Sequence, residues 1–562
     1  MQIPIPYLKQ TENSKQLIVH GKPFLILGGE LQNSSMTSSE YMKPHWQQMI
    51  EDGINTVLGC VTWEQIEPVE GKFDFAELDK VIIDARAHGL HLILLWFGSF
   101  KNGVSTYVPG WIKKDNRRFP RVMLRKENGR LDTADILSIF GSDAVNADAK
   151  AFKKLMNHLA DVDGDHSTVI MVQVENEVGV LGDSRDASPS ANEAFNSPVP
   201  LDLINSLNEQ WASLHVNLQT NLQHFKSAKQ SSSGSWREVF GNSLSTDELF
   251  MAYHYAHYVE QIASAGKAVY PLPLFVNVWQ SYGATNRDKS LPIVAGGGSN
   301  PGHYPSGGGV TNVIDIWQLF APSIDFVAPD IYLNDYSSSC ANYRHRNQTL
   351  FIPEQRRDAY GARRIWEAFG SHQAIGTSPF GIDTVRVEHG DNPYAMHYRL
   401  LRSVSKLVLD AQCRPGSSFG FFFDDISAEG EDVEDPFTVI FGSWRLLIER
   451  SFVFGKPSAG SGMVLYLGGA EFLLIGWGFQ ITWTSTSPKA HFTGLISFEE
   501  KEVVNPVTRE LTTSRMLNGD ETRGGKFTIM PSANPDYGGF PISVTIPART
   551  AIAKVEVYAL ED

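Results

Sequence analysis

Short apolar runs of strand length recur along the N-terminal two-thirds or so of the chain, and most lead into stretches whose apolar positions return every three or four residues. Eight segments have strand character: Pro23–Leu31, Ile54–Trp63, Leu90–Phe100, Val169–Gly179, Leu272–Gln280, Ile324–Tyr332, Leu350–Gln355 and Ala374–Ile382. Val169–Val174 is apolar except for Gln173, the pattern of a strand buried on both faces rather than one facing water. Between the strands lie amphipathic stretches such as Ser39–Asp52, with Tyr41, His45, Trp46, Met49 and Ile50 on one side, and Phe75–His88. This alternation over roughly 400 residues predicts the α/β class, specifically a (βα)8 TIM barrel with insertions.

The longest insertion is expected after strand four, over about residues 182–246. A polar segment from Gly182 to Pro200 precedes a predicted helix, Leu203–Lys229, on which Leu203, Leu207, Trp211, Leu214, Leu218 and Leu222 recur. Ser231–Ser235 reads as a flexible break, and Asp247 as the cap of a helix running through Gly266, the barrel's fourth. The glycine-rich stretch Gly296–Gly309 lacks the Gly-Lys-Ser/Thr of a phosphate loop. It reads instead as a long loop on the catalytic face, in which His303 and Tyr304 are structural before they are substrate contacts. Beyond residue 412 the pattern changes to short strand-like runs separated by turns: Ser418–Phe423, Gly462–Leu467, Glu471–Gly476, Phe479–Thr484 and Pro541–Ile546. The predicted organisation is a catalytic barrel over 1–412 and an all-β sandwich over 413–562, with Trp444, Trp477 and Trp483 as core aromatics.

Two of the apolar strands end in acid. Val169–Gly179 closes on Asn176-Glu177, and Leu350–Gln355 on Glu354. In the strand count these stand at the C-terminal ends of strands four and seven, the face on which TIM barrels build active sites. A carboxylate at a buried strand mouth is costly unless it is paired or used. Two of them on facing strands are what sugar-bond hydrolysis needs, one as acid/base and one as nucleophile. Glu175, two residues before Glu177, is expected on the same strand face as a competing acid, with Glu177 preferred because it follows Asn176.

Asn-Glu closing strand four and Glu closing strand seven resemble the large clan of retaining (βα)8 glycosidases. Within it the chain resembles β-galactosidases of glycoside hydrolase family 35, as a divergent branch related to family 42. The resemblance rests on Gly28-Gly29-Glu30, on Trp63-Glu64-Gln65-Ile66-Glu67-Pro68 followed by Gly71-Lys72-Phe73-Asp74-Phe75, and on Gln173–Gly179. It extends over about residues 15 to 410, and it implies Glu177 as acid/base, Glu354 as nucleophile, and Asn176 as a partner of the sugar 2-hydroxyl. Tyr332, ending strand six, is placed to hydrogen-bond the nucleophile. Glu30, Glu64, Asn102, Asn277 and Trp279 fall at predicted strand mouths as candidate sugar contacts, while Asp330 and Asp335 flank Tyr332 in structural or sugar-binding roles.

One stretch departs from family 35. Where that family carries a Glu after strand three, this chain reads Phe97-Gly98-Ser99-Phe100-Lys101-Asn102-Gly103, rejoining the pattern at Val108-Pro109-Gly110-Trp111. Asn102 is expected to take over hydroxyl recognition, with Lys101 held in an ion pair to a nearby acid. The implied activity is that of a retaining exo-acting β-galactosidase acting on a β-galactoside oligosaccharide or plant-polysaccharide fragment. The residues leave open another sugar (glucose, mannose, fucose or arabinopyranose), a non-catalytic carbohydrate-binding protein, and a structural subunit that only presents the β-module. The intact acid pair speaks against the last two.

Composition narrows the partners. A net charge of −15 argues against nucleic acid, whose phosphates need a basic surface. No apolar run approaches a membrane span, and a homo-oligomer stays open. Cys60, Cys340 and Cys413 are too few and too scattered for a disulfide framework or a metal cluster, with Cys60 a buried thiol. No metal or organic cofactor is expected. Met1–Pro6 lacks the basic and apolar regions of a signal peptide, which predicts a cytoplasmic protein, or a secreted one whose leader has been removed.

Overall fold

The computed structural model describes residues 4–126, 128–227, 233–282, 298–426, 436–508, 510–543, 545 and 549–561. All eight predicted barrel strands are present: β1 Ile26–Glu30, β2 Thr56–Thr62, β3 His91–Lys101, β4 Val169–Asn176, β5 Leu274–Trp279, β6 Phe326–Asp330, β7 Phe351–Gln355 and β8 Gly376–Pro379. They form one parallel sheet in the order β6-β5-β4-β3-β2-β1-β8-β7. A bridge between Ile331 and Gln355, with Ile331 N–H donating to Glu354 C=O at 2.9 Å, brings β6 back to β7 and closes the barrel. A helix follows each strand: α1 Ser39–Glu51, α2 Ala76–Ala87, α3 Ser142–Asp163, α4 Leu244–Lys267, α5 Ile314–Phe320, α6 Tyr336–Asn342, α7 Ala359–Gly370 and α8 Ala395–Gln412. Ile26, Leu58, Ile93, Leu95, Phe275, Phe326 and Phe351 fill the barrel interior. Leu17 and Val19, from an N-terminal antiparallel sheet (Tyr7–Gln10, Lys15–Val19, Lys22–Phe24), join the same cluster.

The insertion after β4 differs from the expected single long helix. It is broken into Leu201–Gln210, Val216–Asn221 and Gln223–Ser227, with a one-turn 3-10 segment at Trp211–Ser213. His215 sits in extended geometry at the break: its Nδ1 accepts from Asn217 N–H, capping the next helix, and its own N–H is held by Asp315 at 2.8 Å. A tertiary hydrogen bond thus overrides the leucine periodicity. Lys229, Ser231 and Ser232 lie outside the described residues. The cap of α4 is Ser243, which accepts from Thr246 N–H, while Asp247 lies within the first turn and pairs with Arg125.

The C-terminal part is a sandwich of two antiparallel sheets. The strands are β9 Ser418–Phe423, β10 Phe437–Phe441, β11 Trp444–Arg450, β12 Gly460–Gly468, β13 Glu471–Trp477, β14 Phe479–Ser485, β15 Ala490–Asn505, β16 Glu510–Met516, β17 Phe527–Met530 and β18 Ile552–Glu561. One sheet runs β9-β12-β13-β18-β15-β16 and the other β10-β11-β14-β17. Phe421, Phe441, Leu446, Phe472, Ile481, Trp483 and Val555 pack between them. Trp444 and Trp483 are buried there, donating to Gly469 C=O and Thr528 Oγ1. No strand forms at residues 541–543; Val544 and Ile546 of that predicted run lie outside the described residues, as do Gly296 and Gly297. No described helix is long and apolar enough to cross a membrane.

The larger sheet is pressed onto the barrel. Met463, Leu465, Leu473, Ile475 and Ile552 belong to the core that also holds α7 and α8, and Trp477 meets Trp366 edge-on. Where α7 ends against β9, Gly370 and Gly420 face each other. A Cβ on Gly420 would lie 1.8 Å from Trp366 C=O, and one on Gly370 would lie 2.5 Å from Gly420 N. Gly420→Ala is therefore expected to destabilise the protein on the order of 1–3 kcal/mol through overpacking, read as an earlier midpoint in urea. An unchanged midpoint would show that the sheet does not bear on α7 this closely.

Candidate active site

The site is built from strand ends. β4 does not finish as a regular strand: Glu175 and Glu177 both have left-handed backbone, with φ of 62° and 45°. This breaks the two-residue alternation on which the shared face of Glu175 and Glu177 was expected. Glu175 is a structural acid, not a competing one. Its carboxyl accepts from Phe100 N–H at 2.6 Å and Ser99 N–H at 3.2 Å, beside Asp148. Burial and the Asp148 carboxylate push it well above the usual carboxylate range.

Those two N–H groups belong to a bulge. In the β3–β4 register Trp96 faces Val174 and Lys101 faces Asn176, so β3 holds extra residues where β4 advances by two. Asp148 takes Ser99 N–H, Ser99 Oγ and Trp96 Nε1 as further donors. Gly98 is required in this knot, since a Cβ would come within 2.3–2.7 Å of Trp96 Nε1, Glu175 Oε1 and Asp148 Oδ2. The bulge delivers Lys101 to the pocket.

Glu354, at the mouth of β7, is held from three sides. Its Oε2 accepts from Tyr332 Oη at 2.9 Å, and its Oε1 from Asn277 Nδ2 at 3.2 Å and Asn176 Nδ2 at 3.3 Å. Asn277 also ties the other half of the site, accepting Glu177 N–H at 2.9 Å and donating to Asp330 Oδ2 at 2.8 Å. Carboxyl oxygens of Glu177, Asp330 and Glu354 lie within 4.8 Å of one another. Glu30, 1% exposed, has no hydrogen-bond partner for either oxygen among the described residues.

Crowding buried acids raises their proton affinity. Burial, then Glu354, push Glu177 up to about 7, with Lys101 pulling the other way. Asp330 and Glu30 are driven well above the ordinary range by burial and by Glu354. Burial opposes the charge on Lys101, but Glu354, Glu177, Glu30 and Asp330 outweigh it and raise its pKa. The Tyr332 hydroxyl is pushed far above its usual value by burial and by Glu354, so it stays a donor.

A cavity of about 250 Å³ opens on this cluster, lined by Asn33, Lys101, Asn102, Glu177, Trp279, Tyr282, Asp330, Tyr332, Glu354 and Phe380. Of the sequence candidates, Glu177, Glu354, Tyr332, Trp279, Asn102 and Asp330 meet here, with Asn176, Asn277 and Glu30 as immediate support. Glu64 does not. It sits on the short helix Trp63–Ile66, 43% exposed and paired with Lys113 at 2.9 Å, because the helical turn after β2 carries it away from the barrel mouth. Asp335 caps α6 through Ser338 N–H. Tyr304 is buried and donates to Glu248 at 2.7 Å, and neither it nor His303 lines the cavity. Lys101 makes no ion pair within 4 Å among the described residues; its ammonium donates to Asn102 Oδ1 at 2.5 Å and fronts the acids directly. Asn33, Tyr282 and Phe380 were not singled out by sequence. All three lie one to three residues beyond a strand end, the only signal that could have flagged them.

Residues 33–217 match the family model of glycoside hydrolase family 42, described as beta-galactosidase. This part of the barrel is family 42-like. The match is to family 42 rather than family 35, and it takes in Glu177 but ends before Glu354. Residues 394–529, from the start of α8 into the sandwich, match a domain of unknown function, DUF5597. A beta-galactosidase of Xanthomonas manihotis is 30% identical over 175 residues, 30% of this chain and 26% of its own length. Beta-galactosidase-1-like protein 3 of Homo sapiens is 28% identical over 182 residues, 32% and 25% of the two chains. The chain thus spans about a quarter of these curated relatives. Among solved structures, a beta-galactosidase from the psychrophilic Marinomonas ef1 superposes with a TM-score of 0.45 at 14% identity, covering 69% of this chain and 62% of that one. The catalytic domain of a beta-amylase from Paenibacillus polymyxa gives 0.43 at 13%, covering 66% and 94%.

The placement of Glu64 yields a check. Glu64→Ala removes only a surface ion pair, so stability should change by about 0–1 kcal/mol and saccharide binding at the cavity should be unchanged in calorimetric titration. Lost binding would place Glu64 in the site after all.

Proposed function

We propose that this chain is a retaining, exo-acting β-galactosidase whose substrate is a terminal β-galactoside of an oligosaccharide or plant-polysaccharide fragment. The observation that carries the reading is the approach of the Glu177 and Glu354 oxygens to within 4.8 Å. Retaining glycosidases hold their two carboxyls roughly 5–5.5 Å apart, and inverting ones hold them wider to admit a water. The sugar is suggested by the family 42 likeness and by the names of the two relatives.

In this mechanism Glu177 protonates the glycosidic oxygen while the Glu354 carboxylate attacks the anomeric carbon, forming a covalent glycosyl-enzyme. Glu177, now a carboxylate, takes a proton from the incoming water, whose oxygen displaces Glu354. Tyr332 and the two amides aim the nucleophile. Asn176 Oδ1, without a partner among the described residues, suits a sugar hydroxyl as donor. A second reading, a retaining glycosidase for another sugar, is favoured by one feature: Lys101 and Asn102 line the cavity on the strand where family 35 places an acid.

Two experiments test this. A 2-deoxy-2-fluoro galactoside with a good leaving group should label Glu354, located by peptide mass spectrometry. Labelling of another residue overturns the nucleophile, and labelling only by another sugar's fluoride overturns the galactoside. Second, Glu177 must be protonated to act first as an acid, so kcat/KM on poor leaving groups should fall as pH rises through about 7. Glu177→Ala should lose most on those same substrates, and azide should restore turnover of an activated one as a β-glycosyl azide. An even loss across leaving groups without rescue would remove Glu177 from the acid/base role.

A further inference from the structure

Asp330 has no part in the two-carboxylate scheme, yet it is buried and lines the cavity with both catalytic acids. Its two oxygens differ. Oδ2 accepts from Asn277 Nδ2 at 2.8 Å, and the backbone carbonyl of Asp330 is fixed by Gln280 Nε2 at 2.8 Å. Oδ1 has no N–H or neutral O–H donor among the described residues. A carboxyl oxygen of Asp330 lies within 4.8 Å of one from Glu177. Two carboxyls can share a hydrogen bond only if one bears the proton. An acid whose one oxygen accepts and whose other oxygen lacks a donor has the pattern of a neutral carboxylic acid, with its O–H on the lone oxygen.

We propose that Asp330 is a proton-bearing positioning residue, whose carboxylic O–H donates to Glu177 and stabilises the carboxylate left when Glu177 has given up its proton. The proposal rests on the acid/base role given to Glu177 above. The proton lost by Glu177 goes to the leaving oxygen as the glycosidic bond breaks. Asp330 keeps its own proton throughout, and Glu177 is recharged from water in the second step. The donor makes Glu177 a stronger acid than its crowded surroundings would otherwise permit, without adding a negative charge to the pocket.

The charged and titratable neighbours fit a neutral Asp330. Glu30 on β1, Glu177 just past β4 and Glu354 on β7 bring carboxyls, Lys101 on β3 brings an ammonium, and Tyr282, Tyr332 and Tyr343 bring hydroxyls. Among the described residues Lys101 brings the one ammonium here, so four full negative charges would outnumber it in a buried space.

Asp330→Asn and Asp330→Ala separate the outcomes. Asn is isosteric, neutral and a donor, so the variant should fold and keep the basic limb of kcat/KM near its wild-type position. Ala removes the donor. The basic limb should then rise by about one pH unit or more, and kcat on poor leaving groups should drop about ten- to a hundred-fold, the value of a hydrogen bond to a charged group. Azide, which rescues Glu177→Ala, should not rescue Asp330→Ala. A basic limb that falls by a unit or more in Asp330→Asn would show that Asp330 is charged and overturn the proposal, as would profiles unmoved in both variants. Failure of azide rescue in Glu177→Ala would instead strike the acid/base assignment itself.

Discussion

The structure turns on an electrostatic constraint: four carboxyls, Glu30, Glu177, Asp330 and Glu354, are gathered in a buried space with one ammonium among the described residues, Lys101. Such a cluster cannot be fully ionised, so protons are retained, and which acid retains them is decided by its hydrogen bonds. Glu354 accepts from three donors, Tyr332, Asn277 and Asn176. Burial and the nearby Glu354 carboxyl push Glu177 up to about 7. These different surroundings separate otherwise similar acids, as the proposed division into a nucleophile and an acid/base requires.

That division depends on backbone irregularities. The left-handed residues at the end of β4 turn Glu175 away from the pocket and Glu177 into it. Glu175 then satisfies the N–H groups of the β3 bulge, and the bulge brings Lys101 opposite Asn176. Regular strands would place Lys101 elsewhere and take that counter-charge away from the four acids. Strain at β4 is thus held by the same carboxylate that shapes the neighbouring strand, as is common where a scaffold over-determines a functional site.

The sandwich contributes from outside. It covers α7 and α8, the helices that follow β7 and β8, and Arg364 on α7 reaches Asp424 just past β9. The Gly370–Gly420 contact brings a sheet strand and a helix end to backbone distance. Support for the strand that carries Glu354 therefore comes partly from a domain that lines none of the catalytic cavity. The larger cavity between α8 and the sandwich, about 440 Å³, is mostly apolar and holds no acid pair.

The eight barrel strands, the two strand-end glutamates and the later β-sheets were legible in the chain because each follows from local pattern: apolar runs, periodicity, and acids where apolar runs stop. Tyr332 and Trp279 were legible for the same reason, standing at strand mouths. What the chain could not show is orientation. Glu64 has the same sequence credentials as Glu30, yet a helical turn carries it to Lys113 at the surface. Glu175 lies two residues from Glu177 in sequence, yet a left-handed φ goes with a carboxyl turned to Ser99 and Phe100, while Asp330 lines the cavity. The long insertion helix is cut by a bond from His215 to Asp315, a hundred residues away. Strand and helix formation depend on near neighbours in sequence, so the sequence by itself determined the elements and the places where chemistry could stand. Proton sharing, the counter-charge from Lys101 and the bridge made by Asn277 depend on distances across the barrel, which only the closed tertiary structure decided.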